Sequence, residues 1–328
     1  MPEVSIIIPV YNNEAYVQKC IDSVKKQSFE EFEAIIVNDG STDNSRSIIE
    51  ALIEKDERFH LINQENQGVA AARNRGIDQA KGKYLTFIDG DDYIGRDYLK
   101  NLYETAEAAQ AQMVICGFCY TGEDGKIIKK VIPGEYKRYE REEWTFRIAA
   151  TWAHLYLREL WEKYQVRFCS GERGEDLPIS LFFSTVCDKI VTLSDTAYFY
   201  VQHISSAMHN FRGLKKFHLP YKALEETVRK IQNVGISNSP EFYELFVLRI
   251  LTTCYFDLSR GAERNKKREL CSFIYRILNA YFPKYYRNRK ARIFSGLSIP
   301  LYQKIAVKCL TILVRTRLLY PVSVLVCR

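Results

Sequence analysis

The chain has 328 residues, carries a net charge of +7, and is 47% hydrophobic and 13% aromatic, with 22 Tyr and 18 Phe. A composition this apolar excludes a disordered protein, and the length points to one large α/β domain with an extension. Every Asp and Glu lies at or before Glu269, while the last 59 residues carry 11 Lys or Arg; this excludes a protein that binds nucleic acid over its whole surface and predicts a local basic anchor.

Val4–Pro9 is a near-continuous apolar run, as expected of a parallel strand buried on both faces. Pro9 ends it, and the Asn12-Asn13 pair is placed to cap the next helix, in which Val17, Ile21 and Val24 repeat at helical spacing. A second strand at Ala34–Val37 runs into Asn38-Asp39-Gly40-Ser41-Thr42-Asp43, followed by a helix through Ile48, Leu52 and Ile53. Phe59–Ile62 is a third strand, Gly68 opens another helix, and Tyr84 starts a fourth strand. Such alternation predicts a mostly parallel, doubly wound sheet, whose ligands sit at the strands' C-terminal ends. No GxGxxG and no Walker A motif follows the first strand, which argues against dinucleotide and P-loop sites.

Nine cysteines are scattered without a disulfide-like framework, and no signal peptide precedes Val4, so a reducing, cytoplasmic chain is expected. Cys116 and Cys119 form a CxxC, but on a strand-like run and with no second pair at zinc-finger spacing.

The fourth strand ends in Asp89, Asp91 and Asp92, three carboxylates within four residues. Their mutual repulsion needs compensation, and clustered hard oxygens suit Mn²⁺ or Mg²⁺ shared with a phosphate. The plainer alternative is an acidic turn capping a helix that starts near Gly95.

Val-Ser-Ile-Ile-Ile-Pro-Val-Tyr-Asn, Val-Asn-Asp-Gly-Ser-Thr-Asp, Asn-Gln-Gly-Val-Ala-Ala-Ala-Arg-Asn and Phe-Ile-Asp-Gly-Asp-Asp follow one another within 92 residues. Together they resemble the family 2 glycosyltransferases of the GT-A fold. The likeness continues more weakly through Trp152–Tyr156, Gly174-Glu175-Asp176 and Tyr198-Phe199-Tyr200. It implies an α/β domain with a nucleotide-sugar half at 1–115, an acceptor and catalytic-base half at 116–210, and a helical extension at 211–328.

The resemblance also implies roles. Pro9, Val10 and Tyr11 line the base pocket, and Asp39 accepts from the imide N–H that uracil has and cytosine lacks. Arg73 faces the nucleotide's phosphate side, and Gly68 lets the backbone approach closely. Asp89, Asp91 and Asp92 correspond to the DxD metal motif in an open register: Asp91 for ribose or metal, Asp92 for the metal, Asp89 bracing them. Asp176, paired with Glu175, is the general base of an inverting single displacement, with Glu172 a weaker candidate. His203 is a further metal or diphosphate contact. Trp152 is placed to stack on an acceptor sugar. The plainer readings are a turn Asp at Asp39, a solvated Arg at Arg73, a helix start at Glu175-Asp176, a core Trp at Trp152, and structural His154, His203 and His209.

After Gly213 the pattern is helical, with stripes at Tyr221, Leu224, Val228 and Ile231 and from Leu270 to Tyr281. Lys304, Lys308, Thr311 and Arg315 share one face of a last helix too often interrupted to span a membrane. With the basic cluster at Lys284–Arg292, it suits a helix lying on anionic lipid; a protein-partner surface or core helix is the alternative. The resulting expectation is a metal-dependent transferase using a UDP-sugar and a lipid-linked saccharide acceptor, peripheral at the inner face of a bacterial membrane, in surface or exopolysaccharide assembly. A sugar-nucleotide pyrophosphorylase would need a Gly-rich basic triphosphate loop after the first strand, which Pro-Val-Tyr-Asn-Asn is not. A non-catalytic nucleotide-sugar-binding subunit would keep the pocket without turnover.

Overall fold

The computed structural model describes residues 1–133, 150–169, 174–203, 219–236, 239–295, 297 and 299–326. It divides into two compact units. The first holds the described residues of 1–144, 150–171 and 187–204; the second holds those of 145–149, 172–186 and 205–328.

The first unit is built on a nine-stranded sheet of order β3-β2-β1-β4-β8-β6-β9-β5, with β7 paired to β6. Strands β1 (Val4–Val10) and β2 (Phe32–Asp39) are buried along their whole length, which explains their unbroken apolar runs. With β3 (Phe59–Gln64) and β4 (Tyr84–Phe87) they form a parallel block. The buried face of α1 (Val17–Lys25) presents Val17, Cys20, Ile21 and Val24. Helix α2 spans Ser45–Ile53 and α3 Val69–Gln79. Gly76 lets α3 settle onto β1, since a Cβ there would stand 2.5 Å from Ile7 Cγ2. Beyond β4 the pairing alternates. β8 (His154–Leu157) is antiparallel to β4 and to β6 (Met113–Gly122), whereas β6 is parallel to β9 (Ile190–Gln202). The short β5 (Tyr93–Ile94) closes antiparallel onto β9, and β7 (Ile127–Val131) onto β6. Helix α4 (Tyr98–Ala109) follows β5, and α5 (Arg158–Lys163) follows β8.

Asn12 and Asn13 do not cap α1 with their side chains, contrary to the sequence reading. The Asn12 side chain instead accepts from the Thr42 amide at 2.8 Å, and Asn13 Oδ1 accepts from the Tyr11 amide at 3.1 Å. In return the Asn12 and Asn13 amides donate to Ser41 and Ser45 hydroxyls at 3.0 and 2.8 Å. The two loops at the C-terminal ends of β1 and β2 are thereby stitched together, and these polar groups serve loop cohesion better than a helix end. Cys116 and Cys119 are buried free thiols on β6.

The second unit is helical: α6 (Asp176–Val186), α7 (Tyr221–Val234), α8 (Pro240–Thr253), α9 (Arg264–Tyr281), α10 (Leu301–Arg315) and α11 (Leu319–Val326). Helix α6 is buried all round from Pro178 to Val186 and packs on α7 and α8, as a helix without a polar face must. Helix α10 turns Val307, Leu310, Thr311 and Val314 inward. Thr311 therefore leaves the basic stripe assigned from sequence: it is buried and donates its hydroxyl to the Lys308 carbonyl at 2.8 Å. What α10 exposes is mostly apolar, with Leu301 at 61%, Tyr302 at 69%, Ile305 at 44% and Ile312 at 48%. Among the described residues no helix is long and apolar enough to cross a membrane.

Candidate active site

The polar loops after β1, β2 and β4 meet at one edge of the sheet. The Asp89–Asp92 turn sits against the end of β1 because Gly90 has no side chain; a Cβ there would stand 2.9 Å from the Pro9 carbonyl oxygen. Asp89, Asp91 and Asp92 each place one oxygen within 4.8 Å of the others.

The three carboxylates have different surroundings. Asp89 accepts from the Arg73 guanidinium at 2.8 Å, and Arg73 is itself buried at 3% exposure, 5.2 Å over the Phe168 ring. Asp91 lies 2.9 Å from His203 Nε2, and the His203 ring stacks on Tyr16 at 4.5 Å. Asp92 is sealed at 1% exposure: one oxygen accepts the Tyr198 hydroxyl at 2.6 Å, the other the Val201 amide at 2.8 Å. Tyr198 also receives the Asp89 amide at 3.3 Å, so β9 grips the acidic turn at two points.

Burial pushes the Asp92 carboxyl well above the usual carboxylate range, helped by the charges of Asp91 and Asp89. Burial and Asp89 likewise raise Asp91, opposed by the hydrogen bond and charge of His203. Desolvated like charges held this close favour a bound cation. Oxygen donors with one neighbouring imidazole nitrogen suit Mn²⁺ or Mg²⁺.

Asp39 ends β2 at 2% exposure. It accepts from Gln64 Nε2 at 2.8 Å, the Gln67 amide at 2.9 Å and the Gly68 amide at 2.8 Å. It thus braces the loop that enters α3, where Gly68 adopts φ +87° as the N-cap. A carboxylate has about four acceptor positions, so one remains. Pro9 and Val10 are buried, and Tyr11 is 48% exposed beside them.

Asp176 is the first residue of α6, in the helical unit, with Glu175 before it; both are half-buried. Gly174, at φ +72°, accepts the Leu177 amide at 3.0 Å and starts that helix. Glu172 and His209 lie outside the described residues. Trp152 is half-buried and stacks on Tyr198 at 4.9 Å and Tyr200 at 5.3 Å. His154 is fully buried, its Nδ1 2.6 Å from the Trp152 carbonyl oxygen, and burial lowers its pKa to about 4. Sequence reasoning missed Tyr16 and the Gln64 and Gln67 braces. Only the Asn-Gln-Gly motif hinted at the second.

The sequence model of "Glycosyl transferase family 2" matches residues 5–165. The "Uncharacterized glycosyltransferase EpsJ" of Bacillus subtilis is 34% identical over 243 residues, covering 70% of this chain and 67% of that relative. Among solved structures, S. aureus TarS 1–349 in complex with UDP-GlcNAc superposes with a TM-score of 0.69 at 19% identity, over 94% of this chain and 88% of that one. A mannosyltransferase from Pyrobaculum calidifontis, in complex with GDP-Man and Mn²⁺, gives a TM-score of 0.53 at 17% identity, over 99% and 86%. These two show the shared fold. Motifs, sheet and relatives agree, and the chain belongs to glycosyltransferase family 2, with the GT-A fold.

Proposed function

We propose that the chain transfers a sugar from a UDP-sugar to a lipid-linked saccharide, with inversion, at the cytoplasmic face of a bacterial membrane during polysaccharide assembly. The observation that carries this reading is the Asp89–Asp91–Asp92 cluster, with His203 on Asp91, at the loop edge of a family 2 sheet. Residues 1–115 take the donor, residues 116–210 supply the acceptor side and the base, and residues 211–328 form the helical extension.

Asp91, with Asp89 and His203 beside it, would hold Mn²⁺ or Mg²⁺. Asp92, whose oxygens both accept from donors on β9, fixes the turn. When bound, such an ion neutralises the charge of a departing nucleoside diphosphate. Arg73 orients Asp89 and contributes positive charge on the phosphate side. Pro9, Val10 and Tyr11 flank the base, and the remaining acceptor position of Asp39 takes the uracil imide N–H. Gly68 leaves room for the donor's approach: nothing lies within 4 Å of where its Cβ would be. Asp176, assisted by Glu175, takes the acceptor hydroxyl's proton as that oxygen bonds to the anomeric carbon. The bond from that carbon to the diphosphate breaks on the opposite face. A base of this kind contributes about 10²–10⁴-fold.

UDP-GlcNAc on TarS supports a uridine donor, and Mn²⁺ with GDP-Man on the mannosyltransferase supports the metal and makes GDP the competitor to test. The membrane side rests on α10, where exposed Leu301, Tyr302, Ile305 and Ile312 lie among Lys304, Lys308 and Arg315.

The test is a thermal-shift panel of UDP, GDP, dTDP and CDP, each with and without Mn²⁺. A ligand at a hundred times its dissociation constant stabilises by about 2.7 kcal/mol. Stabilisation by UDP that requires Mn²⁺ is the expected result. A preference for another nucleotide overturns the donor, and no response to any nucleotide overturns the transferase reading.

A further inference from the structure

We propose that a groove along one face of α1 binds an anionic group, a phosphate or a carboxylate, carried on the acceptor saccharide. Calling the ligand an acceptor rests on the transferase reading; the anion site itself does not.

Two cavities meet in this groove, sharing Ala15 and Lys19. The inner one, about 280 Å³, is bordered by Tyr16, Asp91 and Glu123. The outer one, about 810 Å³, is lined by Lys19, Asp22, Ser23, Lys26, Ile94 and Arg96 among others. None of Pro9, Val10, Tyr11, Asp39, Gly68 and Arg73 borders either cavity; the groove meets the donor site only at Asp91, at its inner end.

The groove is electrically polarised. Its inner end carries Asp91 and Glu123, the latter holding the Tyr16 hydroxyl at 2.6 Å. Its outer end carries three cations against the carboxylate of Asp22, and the charge of Asp124 also acts on Lys19. Lys19 in α1 and Lys26 at its C-cap are seven residues apart, about 10 Å along the helix axis. Lys19 is positioned by the Tyr93 ring, 3.6 Å below its ammonium, and Tyr93 in turn stacks on Phe199 at 4.6 Å. The floor is fixed as well: Ser23 donates to the Cys20 carbonyl at 2.6 Å and receives the Ile94 amide at 3.1 Å.

A ligand lying in such a groove has one favoured direction. Its anionic group is repelled by Glu123 and held between Lys26 and Arg96, which leaves a neutral sugar hydroxyl at the Asp91 end. The groove thus selects an acceptor by charge placed some distance from the reacting hydroxyl.

The test is isothermal titration of the full chain, at low salt and with UDP and Mn²⁺ present, against three oligosaccharides of equal length. One is phosphodiester-linked, one bears uronates and one is neutral. The expected result is a preference for an anionic probe that falls about tenfold in Lys26→Glu/Arg96→Glu and less in Lys26→Gln/Arg96→Gln, consistent with two exposed ion pairs. The preferred probe identifies the anion as phosphate or carboxylate. Equal binding of charged and neutral probes by the wild type overturns the proposal, and so does undiminished anion binding by the charge-reversed variant. Both variants should keep the thermal response to UDP, since the altered side chains are exposed. Loss of the UDP response in the wild type would instead count against the transferase reading, leaving the anion measurement standing.

Discussion

Tyr198 donates its hydroxyl to Asp92 at 2.6 Å while the same oxygen receives the Asp89 amide at 3.3 Å. One phenol therefore sets both ends of the Asp-Gly-Asp-Asp turn. Tyr198→Phe should leave a buried carboxylate oxygen without its donor and cost about 1–3 kcal/mol of stability. It should also weaken the Mn²⁺-dependent response to UDP, because Asp91 lies inside the loosened turn. Urea denaturation and nucleotide thermal shifts measure the two effects. Wild-type values in both would show that β9 does not organise the site.

Asp176→Asn keeps the size of the side chain and removes the proton acceptor. Donor and metal stabilisation should stay close to wild type while transfer falls by about 10²–10⁴-fold. Full transfer rates in this variant would remove Asp176 from the mechanism. Glu175→Gln, assayed alongside, should cause a smaller loss.

His154 makes stability depend on acidity. It is neutral in the fold, with its pKa lowered to about 4 by burial, whereas an unfolded chain takes up the proton near pH 6.5. Its contribution is therefore complete above about pH 6.5 and declines as the pH falls toward 4, by on the order of 3 kcal/mol in all. Denaturation midpoints followed from pH 7 to pH 4.5 should fall. In His154→Gln, which retains a donor for the Trp152 carbonyl, the slope over that range should be shallower. Equal slopes would assign the acid sensitivity to other groups.

The outward face of α10 gives a third kind of prediction. Ile305→Glu/Ile312→Glu changes two exposed side chains and should leave the fold intact while releasing the chain from vesicles containing anionic lipid. Salt should release the wild type from the same vesicles. Cosedimentation measures both. Retention of the double variant would point away from lipid and toward a protein surface.

Legibility in the sequence followed burial. β1 and β2 are enclosed on both faces, so their residues form continuous apolar runs that read directly as parallel strands. The strands of mixed direction beyond β4 are harder: β8 is only 4 residues long, and β9 is half-exposed along much of its 13 residues and carries Ser194, Asp195 and Thr196. Asp89, Asp91 and Asp92 were recognisable by type and spacing, but their division of labour was not. That Asp92 is sealed and Asp91 accessible depends on Tyr198, Val201 and His203, which reach the turn across separations of 106, 109 and 112 residues. The polar residues around Asn12 were readable as a loop, yet their partners Ser41, Thr42 and Ser45 belong to a different loop, so local capping was the wrong inference.

The grip of β9 on the acidic turn also bears on how the protein is made. The family signature ends at residue 165, whereas the strand that supplies donors to Asp92 starts at Ile190. A ribosome that has released only the signature region holds a chain whose carboxylates face a vacant strand position, with neither the phenol nor the amide that later satisfies them. The centre is therefore assembled by a late, long-range pairing of high contact order, the kind that slows folding and exposes intermediates. Fragments trimmed to the signature should express as aggregation-prone chains rather than as miniature nucleotide-binding domains.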